Sequence, residues 1–265
     1  MPSNPELPDS TPSSALQTWP IALLLTLIGG YIDIVGYLSA YQVFTAHMSG
    51  NTADVAKHIY ALQWSGIARH AWPILMFVGG LTFASILFEA QKRRAIFSRL
   101  PTTIVLECLL LLVFVIVTIS SGPVIPPQPM PKYYLMIGLL ALAMGVQNVT
   151  IRRVGGLHVY TTFITGSLVL FGEAASQFIF WLIAQPQQHD GGLAQRLRAS
   201  KHLPAVQHMV LTAALWLCYL AGATAGAFAL TRLQTRCVIV PLFVLIAIAI
   251  YGALRPFAET ILEEW

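Results

Sequence analysis

Long apolar runs dominate the chain, and each is separated from the next by a short polar stretch. Met209 to Thr231 carries no charged residue, and neither do Cys237 to Leu254 and Tyr133 to Ile151. A helix crosses a bilayer core with roughly 17–25 apolar residues, so each run predicts one crossing. Three more follow the same pattern: Trp19 to Ala40, interrupted only by Asp33; Trp72 to Phe88, with Gly79, Gly80 and Ala84 at packing spacing; and Thr103 to Ser120, with Glu107 near its start. His47 to Leu62 and Val159 to Ala184 do not declare themselves. The second is long enough to span and carries only Glu173; the first is shorter and holds Asp54, Lys57 and His58. Each reads as a short crossing, a re-entrant half-helix or an interfacial helix.

Two polar islands interrupt this pattern about 115 residues apart. The first is Gly30-Tyr31-Ile32-Asp33 followed by Phe44-Thr45-Ala46-His47-Met48-Ser49-Gly50-Asn51. The second is Gly145-Val146-Gln147-Asn148 followed by Tyr160-Thr161-Thr162-Phe163-Ile164-Thr165-Gly166-Ser167. Further on, Phe77 to Thr82 matches Tyr219 to Thr224 at an offset of 142, so the second half carries an insertion. That insertion is the polar stretch 185–204, with His189, Asp190, Arg196, Arg198 and Lys201. Polar groups kept at matched positions inside membrane sequence mark a working centre between repeats. Three spans per repeat require inverted halves, whereas four would make them parallel. The expected fold is an all-α polytopic bundle of about six membrane helices in two repeats, inverted 3+3, each with a broken or re-entrant segment.

The boundaries follow. Residues 1–18 are rich in Pro and Ser, without Lys or Arg, and read as a disordered tail rather than a secretory leader. The first repeat covers 19–120. Five prolines between Pro123 and Pro131 forbid a helix, so 121–132 is the linker. The second repeat covers 133–255, and 256–265 is a C-terminal tail.

Composition agrees with the pattern. The chain is 56% hydrophobic and 10% charged, with mean hydropathy +0.70, against roughly 25% charged residues in soluble domains. The net charge of +4 gives no nucleic-acid footprint, because the basic residues gather in loops. With six spans, Lys92, Arg93, Arg94, Arg99, Arg196, Arg198, Lys201 and Arg255 fall on the side of the termini. Lys57, Arg69, Lys132, Arg232 and Arg236 fall on the other, leaving the depth of Arg152 and Arg153 open. The excess favours cytoplasmic termini. Cys108, Cys218 and Cys237 form no CxxC pair and read as small buried side chains.

Asp33 lies mid-span, where an ionised carboxylate costs roughly 2.5–3.5 kcal/mol on insertion scales. It is expected to face the bundle interior as a solute, ion or proton site, or else as an interhelical hydrogen bond. Ser49-Gly50-Asn51 and Thr165-Gly166-Ser167 open helical segments; hydroxyl and amide side chains suit N-caps, and free N–H groups there suit an anionic or polar solute. The candidate binding set is Asp33, His47, Ser49, Gly50, Asn51, Gln147, Asn148, Thr161, Thr165, Gly166 and Ser167. The repeat offset also sets Lys57 opposite Glu173 as a candidate ion pair. His47 and His58 lack a third ligand at metal spacing, so no metal or cofactor is expected. The sequence holds no Ser-His-Asp order, HExxH or Walker loop, and Glu107 has no evident carboxylate partner. Asp33, His47 and Glu173 give no spacing warrant for lipid or isoprenoid chemistry, and the chain is not expected to be an enzyme.

On the two islands, together with Arg152-Arg153 and Thr161-Thr162-Phe163-Ile164-Thr165-Gly166, the chain resembles the YoaK-like family of bacterial integral membrane proteins of unknown function. That family usually has Thr-Gly-Asn where this chain has Ser49-Gly50-Asn51, which keeps the hydroxyl. The resemblance runs from Trp19 to Leu254 and implies about six spans in the bacterial cell (inner) membrane, without implying a substrate. The leading functional expectation is a secondary transporter or permease for an unknown small solute or ion, with the lipid bilayer as its surroundings and homo-oligomers allowed. The alternative is a non-transporting scaffold in which the islands only pack helices.

Overall fold

In the computed structural model of the chain, residues 12–39, 42–93, 102–121, 131–154, 164–184 and 200–254 are described. Among them are α1 (Pro12–Ser39), α2 (Met48–Tyr60), α3 (Trp64–Arg93), α4 (Thr102–Ser121), α5 (Pro131–Val154), α6 (Ile164–Ala184), α7 (Pro204–Leu233) and α8 (Ile239–Leu254). No strand occurs among the described residues. Six stretches are long and apolar enough to cross a membrane: Trp19–Ser39, Trp64–Gln91, Thr102–Ile119, Pro131–Ile151, Ile164–Ile183 and Pro204–Leu254. The last runs for 51 residues, more than twice the roughly 20 that one crossing needs. It is broken by the 3₁₀ turn Gln234–Val238, where Gln234 sits at φ 54. The all-α membrane class expected from the apolar runs is the fold observed.

Two boundaries move. Helix α1 begins at Pro12, inside the segment expected to be a disordered tail, and runs through Pro20. Helix α3 begins at Trp64 rather than Trp72, because Arg69, His70 and Pro73 are all carried within it. Of the linker expected at 121–132, Ser121 ends α4 and Pro131 opens α5; residues 122–130 and most of the polar stretch 185–204 lie outside the described residues.

The centre is made by α1 and α5, whose membrane windows are 67% and 78% buried, against 17% for those of α3 and α6. Outer helices turn Leu75, Val78, Phe83, Ile86, Phe180 and Phe228 outward, which suits lipid tails as apolar as leucine. Because lipid supplies no hydrophobic drive between helices, close backbone contact has to hold them together. Small residues make this possible. A Cβ at Gly30 would collide with the Tyr219 carbonyl, and one at Gly222 with the Leu27 carbonyl, so α1 and α7 touch backbone to backbone. Gly145 meets the Phe77 carbonyl and Gly80 the Leu142 carbonyl in the same way, joining α5 to α3.

Paired contacts give the directions. Trp72 Nε1 donates to the Tyr134 carbonyl at 2.7 Å, Gly80 lies on Leu142, and Ala84 packs with Val146, so α3 and α5 run the same way. Gly222 at Leu27 and Gly226 at Tyr31 make α7 run with α1. Helix α5 opposes α1, since Gln147 meets Leu25 while Tyr133 and Ile137 pack on Val43, beyond the end of α1. Helices α2 and α3 form a tight hairpin, with Gly66 against the His58 ring and His58 stacked on His70 at 5.3 Å. Residues 42–47 therefore fold back along α1, α2 climbs again to the face where α1 ended, and α3 departs from it.

Candidate functional site

The first island is built around an irregular stretch of backbone. Residues 42–47 are not helical, yet Val43, Thr45 and Ala46 are buried. Backbone polar groups at such a break must be satisfied from within the protein when water is excluded. Asp33 does this from α1. Its Oδ1 accepts from Thr45 N at 2.9 Å, Thr45 Oγ1 at 3.1 Å and Ala46 N at 2.8 Å, while Oδ2 accepts from the Tyr219 hydroxyl at 2.8 Å. Both oxygens of the carboxylate are thus bonded to protein donors, three on Oδ1 and one on Oδ2. Tyr219 comes from α7, so the carboxylate ties α1, the break and α7 into one unit.

Asn51 secures the other side of the break. Its Oδ1 accepts from Phe44 N at 3.1 Å and its Nδ2 donates to Phe44 O at 2.7 Å, the pattern of a paired strand made by one side chain. The Phe44 ring then stacks on Tyr37 at 4.4 Å and lies 5.1 Å from His47. Gly36 leaves room for the Thr45 methyl group, which a Cβ there would strike. Asp33 and Asn51 are both buried, at 2% and 0% exposure, and all these bonds go to protein groups.

The capping expectation is corrected. The residue preceding α2 is His47, with no side-chain cap bond; Ser49 is exposed within the first turn, and Gly50 N and Asn51 N donate to His47 O instead. Asn51 works backward onto Phe44 rather than forward onto its own helix, because the buried break needs its amide more than the helix start does. The Lys57–Glu173 pair is corrected as well. Lys57 lies 3.9 Å from Asp54 one turn away and is well exposed, and Glu173 is exposed on α6; the two form no ion pair.

The second island is less open to view. Gln147 Nε2 donates to Leu25 O at 3.1 Å, Asn148 Nδ2 to Met144 O at 2.8 Å, and Thr150 Oγ1 to Val146 O at 3.2 Å. All three residues are buried. Gly166 and Ser167 are buried in the first turn of α6 and Thr165 is exposed; Thr161 lies outside the described residues. Gln147 reaches α1 about two helical turns from Asp33, so both islands act on the central α1–α5 pair.

Sequence reasoning passed over Tyr219 and Thr45 as working residues. Tyr219 was already visible in the match of Tyr219–Thr224 to Phe77–Thr82, where its hydroxyl is the difference. Glu107 is the other surprise. It is fully buried on α4, and among the described residues neither carboxyl oxygen has a hydrogen-bond partner. Gln147 Oε1 is also without one. Among the described residues no three His, Cys, Asp or Glu side chains converge as metal ligands. The groove between α4 and α8, lined by Cys108, Leu109, Leu242, Ile246 and Ala249, has an entirely apolar wall.

A helical bundle with a buried polar centre and apolar outer faces defines a multi-pass membrane protein. The chain belongs to the family described as protein of unknown function DUF1275, whose model matches residues 21–251. It is similar to the UPF0700 transmembrane protein YoaK of Bacillus subtilis (strain 168), with 26% identity over 162 residues, covering 60% of this chain and 67% of that protein. No solved structure matches it.

Proposed function

We propose that the protein is a permease for a small solute or ion, built from two inverted halves around α1 and α5. One observation carries this: α2 returns to the face from which it entered, and the directions of α5 and α7 support the same path for α6. Helix α5 opposes α1 and α7 runs with α1, so α6 joins the end of α5 to the start of α7 without a net crossing. The crossings are then α1, α3, α4, α5, α7 and α8, with α2 and α6 re-entrant from opposite faces. The mirrored contacts of Gly30, Gly222, Gly145 and Gly80 support two repeats that exchange their third helices. Secondary transporters with inverted repeats bind solutes at such breaks near the midplane. Fold-level analogy supplies the rest, which is why flux has to be measured.

In this reading the substrate-facing set is Asp33, His47, Ser49, Gly50, Asn51, Gln147, Asn148, Thr165, Gly166 and Ser167, and the bonds of Asp33 hold one closed state. Opening requires the 42–47 break to leave Asp33, and a solute takes over part of its bonding. Because α5 opposes α1, Arg152 and Arg153 end on the side of the termini, adding to the basic excess there and favouring cytoplasmic termini in the inner membrane.

The test is flux into proteoliposomes for a panel of small ions, amines, sugars and organic acids. Wild-type protein is expected to move at least one solute faster than protein-free vesicles, with Asp33→Asn slower. Equal movement in all three would leave the scaffold reading, which the bonding of both Asp33 oxygens to protein donors also favours. A scaffold role predicts loss of thermal stability in Asp33→Ala and no flux in any form.

A further inference from the structure

Among the described residues, Glu107 is the one buried acid that the islands do not use. It lies on the inward stripe of α4 formed by Ile104, Leu111 and Phe114, all at most 1% exposed. Leu106 and Leu110 beside it pack onto the Val146–Val149 stretch of α5, which sets Glu107 at the depth of Gln147 and Asn148. Among the described residues, the partnerless side-chain atoms in this layer are all acceptor oxygens: both of Glu107 and Oε1 of Gln147. An unpaired carboxylate away from water is expensive, and one in a membrane core is a functional position by default.

The chemistry of the layer selects its ligand. A hard divalent cation such as Ca²⁺ or Mg²⁺ takes about six or more oxygen ligands, and three partnerless acceptors fall short of that. A proton needs only one oxygen, and once bound it turns a carboxylate into a neutral acid with an O–H donor for a neighbouring acceptor such as an amide oxygen. We propose that Glu107 is a proton-binding site inside the bundle, taking one proton on its carboxylate and returning it to water when the core opens. This rests on the permease reading for its purpose, since it names the coupling ion, but not for its chemistry.

The surroundings contain little that competes. On α4 the neighbouring titratable group is the half-buried Cys108. The 3₁₀ turn packed on α4 contributes Cys237, whose carbonyl accepts from the Tyr31 hydroxyl of α1 at 2.9 Å. On α1, Asp33 is held by its own four donors. Helix α8 brings Tyr251, which is exposed, and α5 brings Gln147 and Asn148 to this depth. Lys132, Tyr133 and Tyr134 lie at the far end of α5, and the side chains of Arg152 and Arg153 lie outside the described residues.

Infrared difference spectroscopy of the full-length protein in nanodiscs tests the site. Wild type is expected to show the carbonyl stretch of a protonated carboxylic acid that vanishes in Glu107→Gln and shifts when the buffer is changed to heavy water. The idea is overturned if the band is absent, if it survives in Glu107→Gln, or if it stays unshifted in heavy water, which would mean a permanently sealed acid. Should Glu107→Gln not fold, Glu107→Asp serves, where a moved band supports the site and an unmoved one overturns it. Because the readout needs no solute, a lost band with no flux in vesicles would sink the permease and leave the proton site standing.

Discussion

Replacing Asp33 by Ala strips Thr45 N, Ala46 N and the Tyr219 hydroxyl of their acceptor at once. A buried donor left unpaired costs about 1–3 kcal/mol, so Asp33→Ala is expected to lose at least about 3 kcal/mol. Asp33→Asn keeps an oxygen for the backbone donors and turns its amide toward the Tyr219 oxygen, so it should lie between wild type and Asp33→Ala. Tyr219→Phe removes one interhelical bond, worth about 0.6–1.7 kcal/mol in membrane proteins. Thermal unfolding in detergent, followed by loss of monodisperse protein, measures the order. Tyr219→Phe as damaging as Asp33→Ala would contradict a carboxylate whose main task is holding the break. At this scale the sequence pointed to Asp33 and Asn51 but not to their tasks. Their acceptors and donors are backbone atoms of residues 44–46, which no side-chain pattern encodes, and Tyr219 lies 186 residues from Asp33.

Adjacent glycines on α3 separate packing from propensity. A Cβ at Gly79 meets nothing within 4 Å, whereas one at Gly80 strikes the Leu142 carbonyl of α5. Gly79→Ala is therefore expected to be neutral or to stabilise by up to about 1 kcal/mol through helix propensity. Gly80→Ala should cost about 1–3 kcal/mol by prying the helices apart, and Gly222→Ala should match it on α7. Melting temperatures of the three variants decide this; equal behaviour of Gly79→Ala and Gly80→Ala would contradict the α3–α5 register. Small residues at packing spacing were legible in the sequence, and so were the apolar runs that became helices. Which of two neighbouring glycines faces a helix was not, because the low amphipathicity of a membrane helix leaves its inward face unmarked. For the same reason the sequence showed Glu107 in its span but not its place on an inward stripe otherwise made of Ile104, Leu111 and Phe114.

For the whole molecule the decisive quantity is the side on which α7 begins. If α6 returns to its own face, the α2–α3 turn and the start of α7 lie on opposite sides of the membrane; if α6 crosses, they share one. Tyr60, 92% exposed in that turn, and His202, exposed just ahead of α7, report the two positions. Single cysteines at these sites, in protein with Cys108, Cys218 and Cys237 replaced by Ala, are exposed to an impermeant thiol reagent on intact cells and again after lysis. Tyr60→Cys is expected to label in intact cells and His202→Cys only after lysis, with the order exchanged if the termini face outward. Labelling of both under one condition would mean that α6 crosses, that the halves are not inverted, and that only one island sits on a re-entrant break. The stretch Ile164–Ile183 is apolar enough to cross, so hydropathy alone votes for a crossing and the directions of α1, α5 and α7 vote against it. The labelling decides between them: Gly222 on Leu27 and Gly226 on Tyr31 run α7 with α1, and an apolar helix of sufficient length is also what a re-entrant segment packed on α7 needs.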